Sequence, residues 1–314
     1  MSKERTTSPA AETSRRGFLK CLAWAGTGIA WTVSGGVPRG FAIGEAQARP
    51  VEGFTFVQIS DSHLGFRFPG AAGGPDTAGI LQGALDQVAN MEKPPALILH
   101  TGDVTHLATA AQFDTADQIL KGAKVDVHYT PGEHDVIGDG GRQFFERFGK
   151  EMGPGGWYSF DQGGIHFVSM CNVLSFERTL AGGIGPDQLK WLEADLADRG
   201  SSTPIVVFTH VPMWSIYIRW GWGTQDAPQA LDLLKRFGSV TILNGHIHQV
   251  MQKVEGNVRL STALSTAFPR PPAGRGTGPA PMQVAADRLK SMLGVRQVDF
   301  APAIGMTVSD TTLG

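Results

Sequence analysis

Short apolar runs recur along this chain, each giving way to a polar or glycine-containing turn, with amphipathic stretches between them. Residues 54–60 (FTFVQIS), 95–101 (PALILHT), 125–130, 204–209 (PIVVFT) and 239–244 (SVTILN) are too short for helices and read as strands. Their near-continuous hydrophobicity predicts strands covered on both faces of a sheet. Helices are expected over 76–91, 109–120, 186–196 and 226–237. In the third, Leu189, Leu192 and Leu196 repeat at helical spacing, with Asp187 and Lys190 on the other side. Residues 157–161 and 165–171, separated by Gln162-Gly163-Gly164, read as a β-hairpin. The tail adds strand-like pieces at 249–254, 257–262 and 304–309. The alternation predicts an α/β fold with no internal repeat.

Five groups of candidate metal ligands follow this pattern: Asp61-Ser62-His63, Gly102-Asp103, Gly132-Glu133-His134-Asp135, Thr209-His210 and Gly245-His246-Ile247-His248. All but the third fall where an apolar run ends. Strand ends can bring side chains from distant parts of a chain to one point, and carboxylates and imidazoles are the ligands that divalent metals take where thiolates are absent. A single D-x-H or H-x-H is a weak signal; five in this order are a strong one.

The ordered set resembles the calcineurin-like metallophosphoesterases, whose pattern reads D-x-H, G-D, G-N-H-D/E, H, G-H-x-H, and the resemblance covers about residues 51–268. Within that superfamily, the run from His210 to His248 and the hairpin at 157–171 look most like class III cyclic-nucleotide phosphodiesterases. The resemblance implies a four-layer α/β/β/α sandwich and hydrolysis of phosphate mono- or diesters through two divalent metal ions (manganese, iron, zinc or magnesium) and a bridging hydroxide. Position by position, it gives Asp61, His63 and His248 to the first metal, Asp103 to both, and Glu133, His210 and His246 to the second. It makes His134 the non-ligand histidine that serves the leaving oxygen, with Asp135 expected to hold its imidazole by a hydrogen bond.

Glu133 departs from the family's asparagine. A third ligand carboxylate would leave two divalent ions and a hydroxide neutral overall, where the usual set is positive by one. Such a site should hold metals tightly, tolerate Fe(III) and attract a dianionic phosphate less well. The competing expectation is that Glu133 disrupts the second metal, leaving a catalytically weak protein that binds a metal or a partner. His106, three residues after Asp103, stands where the related purple acid phosphatases have a ligand tyrosine; it is read as a ligand, a substrate contact or a helix-start residue. His100, His128 and His166 lie within strand-like runs and read as structural.

Two loops carry the remaining candidates. Residues 212–224 hold Trp214, Tyr217, Arg219, Trp220 and Trp222, and residues 269–281 are rich in proline and glycine around Arg270 and Arg275. They read either as walls of a substrate cleft, with arginines meeting phosphate, or as a packed aromatic cluster beside a solvated loop.

Composition narrows the function classes. The 314 residues carry a net charge of −2, and residues 49–314 alone carry −5. So acidic a body lacks the basic surface that nucleic-acid or polybasic membrane binding requires. Ser14-Arg15-Arg16-Gly17-Phe18-Leu19-Lys20 matches the twin-arginine export pattern and precedes an apolar stretch, residues 21–33, too short to span a bilayer comfortably. Ala46-Gln47-Ala48 is a candidate cleavage site. Expected organisation is therefore a signal peptide over 1–48, a metallophosphoesterase core over about 51–268 and a C-terminal extension over 269–314. The expected partners are the twin-arginine export machinery and a small phosphate ester, in the periplasm or beyond, with no stable membrane span in the mature form. Past the signal only Cys171 remains, so no intrachain disulfide forms there, and its apolar surroundings read as a buried site.

Overall fold

A computed structural model describes residues 28–34, 37–43, 53–67 and 75–314. The twin-arginine motif and the Ala46-Gln47-Ala48 site lie outside the described residues. The chain divides into two compact units, residues 1–52 and 53–314. In the first, β1 (Gly28–Ser34) and β2 (Val37–Ile43) pair antiparallel, with Ser34 opposite Val37. No described helix is long and apolar enough to cross a membrane.

The second unit runs β3 (Phe54–Ile59), α1 (Thr77–Ala89), β4 (Leu97–His100), α2 (Ala110–Leu120), β5 (Asp126–Tyr129), α3 (Arg142–Phe148), β6 (Tyr158–Gln162), β7 (Ile165–Ser169), α4 (Phe176–Thr179) and α5 (Pro186–Leu196). It continues through β8 (Ile205–Phe208), α6 (Ala227–Leu234), β9 (Val240–Asn244), β10 (Gln252–Glu255), β11 (Val258–Thr262), α7 (Ala286–Leu289), β12 (Gly294–Ala301) and β13 (Gly305–Thr312). Local chemistry sets the helix starts. The Asp76 carboxylate accepts from the Gly79 amide at 3.0 Å, and Pro186 opens α5 directly after Gly185.

One sheet has the order β13-β12-β3-β4-β5 and the other β10-β11-β9-β8-β7-β6. β3, β4 and β5 are parallel, as are β7, β8, β9 and β11. Strand periodicity then sorts the apolar side chains into three layers. Phe56, Leu97, Leu99, Phe167, Val206, Phe208 and Leu243 fill the space between the sheets. Val57, Ile59 and Ile98 face the other way, onto Leu81, Leu85, Phe113 and Phe144 of α1, α2 and α3. Ile205, Val207, Val240 and Ile242 likewise meet Leu192, Leu196, Leu231 and Leu234 of α5 and α6. The result is the four-layer α/β/β/α sandwich.

Several elements escape the sequence pattern, α3 and β12 among them. α3 (RQFFERF) is too short to show a helical repeat. β12 (GVRQVDFA) hides its alternation because an inward position is occupied by Arg296, which is fully buried. β12 pairs with β3 antiparallel, Val298 opposite Phe56, so part of the expected extension is an inner strand of the sheet. Arg296 donates to both carboxylate oxygens of Asp310 at 2.8 and 3.0 Å, to the Thr262 carbonyl at 2.8 Å and to Gln58 Oε1 at 3.3 Å. Gln58 passes the connection on through Nε2, which donates to Thr101 Oγ1 and the Asn244 carbonyl. This buried network ties the ends of β3, β4 and β9 together beneath the site.

Candidate metal centre

The parallel strands of both sheets deliver their C-terminal ends to one place. After β3 the chain turns through Asp61 and His63, after β4 through Asp103, after β8 through His210, and after β9 through His246 and His248. The turns interlock: the Asp61 amide donates to the Gly102 carbonyl, the His63 amide to the Asp103 carbonyl and the Gly245 amide to the His210 carbonyl. Asp61, His63, Asp103, His246 and His248 all have positive φ, between 40° and 70°, and only two other non-glycine described residues do. Each such residue costs roughly 1–2 kcal/mol of backbone strain, and strain of this kind clusters at functional sites. Gly132 is required by contact: a Cβ there would lie 2.1 Å from Asp103 Oδ1.

The donor atoms form several overlapping groups within 4.8 Å, among them two triads that share no residue, Asp61/His63/His248 and Glu133/His210/His246. In the first, His248 Nε2 is 3.3 Å from Asp61 Oδ1 and 3.2 Å from His63 Nε2. In the second, Glu133 spans two imidazoles, with Oε2 2.8 Å from His210 Nε2 and Oε1 2.9 Å from His246 Nδ1. Asp103 Oδ2 stands between the triads, 3.4 Å from His63 Nε2 and 3.3 Å from His210 Nε2. The Asp103 Oδ1 atom is occupied, accepting from the His134 amide at 2.9 Å.

Backbone carbonyls fix the imidazoles. His210 Nδ1 donates to Thr101 at 2.7 Å and His248 Nδ1 to Phe268 at 2.6 Å, leaving Nε2 of each as a lone pair facing inward. His63 Nδ1 meets His106 Nδ1 at 3.2 Å, so its Nε2 is likewise the inward atom. His106 is therefore the partner that orients His63, half-buried and stacked on His134 at 4.8 Å.

A metal fits this donor set. Asp103 Oδ2, Glu133 Oε2, His210 Nε2 and both ring nitrogens of His246 are buried and make no hydrogen bond. Glu133 Oε2 and His210 Nε2 thus stand 2.8 Å apart without a hydrogen bond, and with no cation between them Asp103 and Glu133 overcome burial and raise the His210 imidazole well above its usual value. Buried polar atoms left this way are costly unless a ligand takes them up. Nitrogen and oxygen donors without thiolate suit zinc, manganese, iron or magnesium.

The electrostatics of the isolated side chains reflect the same crowding. Burial pushes the Asp61 carboxyl up, but His248 and His210 outweigh it and hold it below the usual range. Burial opposes ionisation of Glu133 too, and His246 and His210 overcome it, keeping the carboxylate charged. Burial and the neighbouring His134 and His248 hold His63 well below the usual imidazole value. Burial lowers His106 to about 4.

Several expected roles change. Asp135 does not touch the His134 ring. It accepts from the Gly132, Val104 and Thr105 amides and from Thr105 Oγ1, at 2.8–3.0 Å, and so shapes the loop that carries Asp103. Burial, with Asp103 nearby, raises its carboxyl to about 7. His134 Nδ1 instead donates to the His106 carbonyl at 2.7 Å. Trp222 is fully buried, and Trp214 packs on the helix-side core of the second sheet and lines a cavity with Ser215, Pro228 and Lys235, none of them a candidate metal ligand. Trp220 is half-buried against Trp222 and Tyr217, and Arg219 is exposed with no hydrogen bond or ion pair among the described residues. The tryptophans form a packed cluster because Trp222 supplies core volume below the loop. Cys171 is buried, and burial lifts its thiol to about 11.

Fold and donor set together define a metal-dependent phosphoric ester hydrolase. The calcineurin-like phosphoesterase family model matches residues 54–250, and the chain belongs to that family. It is 25% identical over 214 residues to "Probable glycerophosphodiester phosphodiesterase GpdQ" of Arcobacter nitrofigilis, covering 67% of this chain and 77% of that protein. It is 28% identical over 221 residues to the 3',5'-cyclic adenosine monophosphate phosphodiesterase CpdA of Pseudomonas aeruginosa, covering 67% and 75%. Among solved structures, a dimetal phosphatase from Danio rerio shares the fold with a TM-score of 0.58 at 16% identity, over 83% of this chain and 98% of that one.

Proposed function

We propose that this chain is an exported dinuclear phosphoesterase that cleaves phosphate esters, diesters among them, with Glu133 as a working ligand. The observation that carries it is Asp103 Oδ2, buried, without a hydrogen bond and nearly equidistant from His63 and His210, one from each triad. A carboxylate in that position can be shared by two cations, which two-metal sites hold about 3.5–4 Å apart. Asp61, His63 and His248 would hold one ion, and Glu133, His210 and His246 the other. Bound there, the pair supplies Lewis acidity at the phosphoryl group and lowers the pKa of water.

The chain's own residues then do the following. Thr101 and Phe268 carbonyls keep His210 and His248 in the ligating tautomer. His134, anchored through Nδ1, would serve the leaving oxygen through Nε2. Asp135 fixes the Asp103 loop by accepting from the Gly132, Val104 and Thr105 amides. The position of Glu133 between two imidazoles favours ligation over disruption, because its oxygens already point where a ligand's would. Relatives named for glycerophosphodiester and cyclic-nucleotide hydrolysis support diester chemistry. The Ser14–Lys20 motif supports export.

The test is metal content of the purified protein paired with turnover of nitrophenyl mono- and diesters. Two metals per chain, with turnover abolished in Asp103→Ala, is the expected result. A single metal, or none, with no turnover under any added divalent ion would overturn the proposal.

A further inference from the structure

The segment from Ser265 to Arg270 runs across the first triad and is buried throughout. Ser265 Oγ donates to the Asp61 carbonyl at 2.8 Å and accepts from the amides of Ala267 and Phe268. The Phe268 carbonyl orients His248, and its ring packs on His63 and His248 with centroids 4.7 and 4.6 Å away. Two residues on, Arg270 is pinned by its own backbone: Gln249 Nε2 donates to the carbonyls of Arg270 and Pro271 at 3.2 and 2.9 Å. The Met282 amide closes the base of the loop onto the Pro269 carbonyl at 2.8 Å.

Arg270 is only 8% exposed, yet its Nε is buried without a hydrogen bond and its guanidinium forms no ion pair among the described residues. This separates it from Arg219 and Arg275, which are exposed. It also separates it from Arg296, the other buried arginine among the described residues, which is paired with Asp310. A guanidinium cannot shed its proton, so burying one unpaired is costly unless an anion completes it. Arg270 follows by two residues the Phe268 ring that packs on His63 and His248, which sets it beside the first triad.

We infer that Arg270 is a substrate-binding residue that takes a non-bridging phosphoryl oxygen of the ester, on the side of the centre formed by Asp61, His63 and His248. The inference rests on the phosphoesterase reading above. It also resolves the charge problem that Glu133 creates. A third ligand carboxylate removes one positive charge from the centre, and a fixed guanidinium at its edge restores one without occupying a ligand position. Planar, forked donors match a phosphate's paired oxygens, so the recognised class is a phosphate anion, with dianionic monoesters and inorganic phosphate depending on Arg270 most.

The test compares the full-length wild type with Arg270→Met and Arg270→Lys. Metal content is measured first, then calorimetric binding of inorganic phosphate to the metal-loaded proteins, then KM and kcat for nitrophenyl phosphate and bis-nitrophenyl phosphate. Arg270→Met should keep its metals, weaken phosphate binding on the order of tenfold to a hundredfold, and raise KM more for the monoester than for the diester. Arg270→Lys, which keeps the charge and loses the fork, should fall between, and it decides the question if the methionine variant fails to fold. Phosphate affinity within twofold of wild type in a metal-loaded variant would overturn the inference while leaving the phosphoesterase intact. A wild type that binds no metal and turns over neither ester would instead overturn the reading on which the inference rests.

Discussion

The two halves of the metal centre are built by one rule and carry different charge. Both hang from turns after strands, both hold two histidines and one carboxylate, and Asp103 Oδ2 stands between them, 3.4 Å from His63 and 3.3 Å from His210. The half formed by Asp61, His63 and His248 lies under the Phe268 ring, with Arg270, which has no ion pair among the described residues, alongside. The half formed by Glu133, His210 and His246 has a glutamate where the family has asparagine, and its neighbour is the apolar ring of Phe176, 5.4 Å from His246. Extra positive charge thus stands on one side and extra negative charge on the other. A site polarised in this way can orient an anionic substrate before any chemistry occurs, which a symmetric pair of ions could not do alone.

The largest effect should come from the residue the halves share. Asp103→Ala removes the oxygen that stands 3.4 Å from His63 Nε2 and 3.3 Å from His210 Nε2, so both metals should be lost or displaced and turnover should fall about 10³-fold or more. Metal analysis of the variant separates this from simple loss of one ion; retention of two metals would show that the halves are independent.

Next comes the network beneath both halves. Asp310→Ala would leave the fully buried Arg296 guanidinium uncompensated, at a cost of about 3–5 kcal/mol, nearer the lower figure because Asp310 itself is partly exposed. Denaturant unfolding measures this. The pair Arg296→Met with Asp310→Ala should recover most of the loss. If unfolding of the single variant matched wild type, the C-terminal hairpin would not be part of the scaffold that fixes the site.

His106→Ala addresses the first half alone. It removes the group that orients His63 through Nδ1, and losing such a partner typically weakens metal binding about 10–100-fold. Because His106 is half-exposed, water can replace it, so the low end is expected. Chelator competition should show one metal released early and the other retained; equal release of both would mean that His63 does not need this contact.

The two halves were legible in the sequence to different depths. Asp61, His63, His210, His246 and His248 could be read because each follows an apolar run by one or a few residues, and strand length and ligand order survive in a linear text. Glu133 sits in a single turn of 3-10 helix after β5, and only the family pattern pointed to it. Arg270 is named in the sequence reading but not placed, because a run of Pro, Arg, Gly and Ala looks solvated until Ser265 and Gln249 are seen to pin it. The tryptophans read equally as cleft walls or as a packed cluster, and nothing in composition shows that Trp222 turns inward. β12 stayed hidden because its buried Arg296 breaks the apolar alternation, and the partner that neutralises it, Asp310, is fourteen residues further along the chain. What the sequence withheld in each case was a long-range pairing.

The smallest expected effect is the most informative about the polarity of the site. Glu133→Asn restores the family's neutral ligand and removes one negative charge from the second half, leaving Arg270 in place. Metal retention there should weaken roughly tenfold, about 1.4 kcal/mol, because an amide oxygen binds a cation less strongly than a carboxylate. At saturating metal, affinity for a dianionic monoester should improve severalfold, since the centre becomes more positive by one. The two changes run in opposite directions, so a titration of KM against free metal ion resolves them. Should Glu133→Asn bind its second metal more tightly than wild type, Glu133 would be a disruptor of that position, and the polarity would come from Arg270 alone.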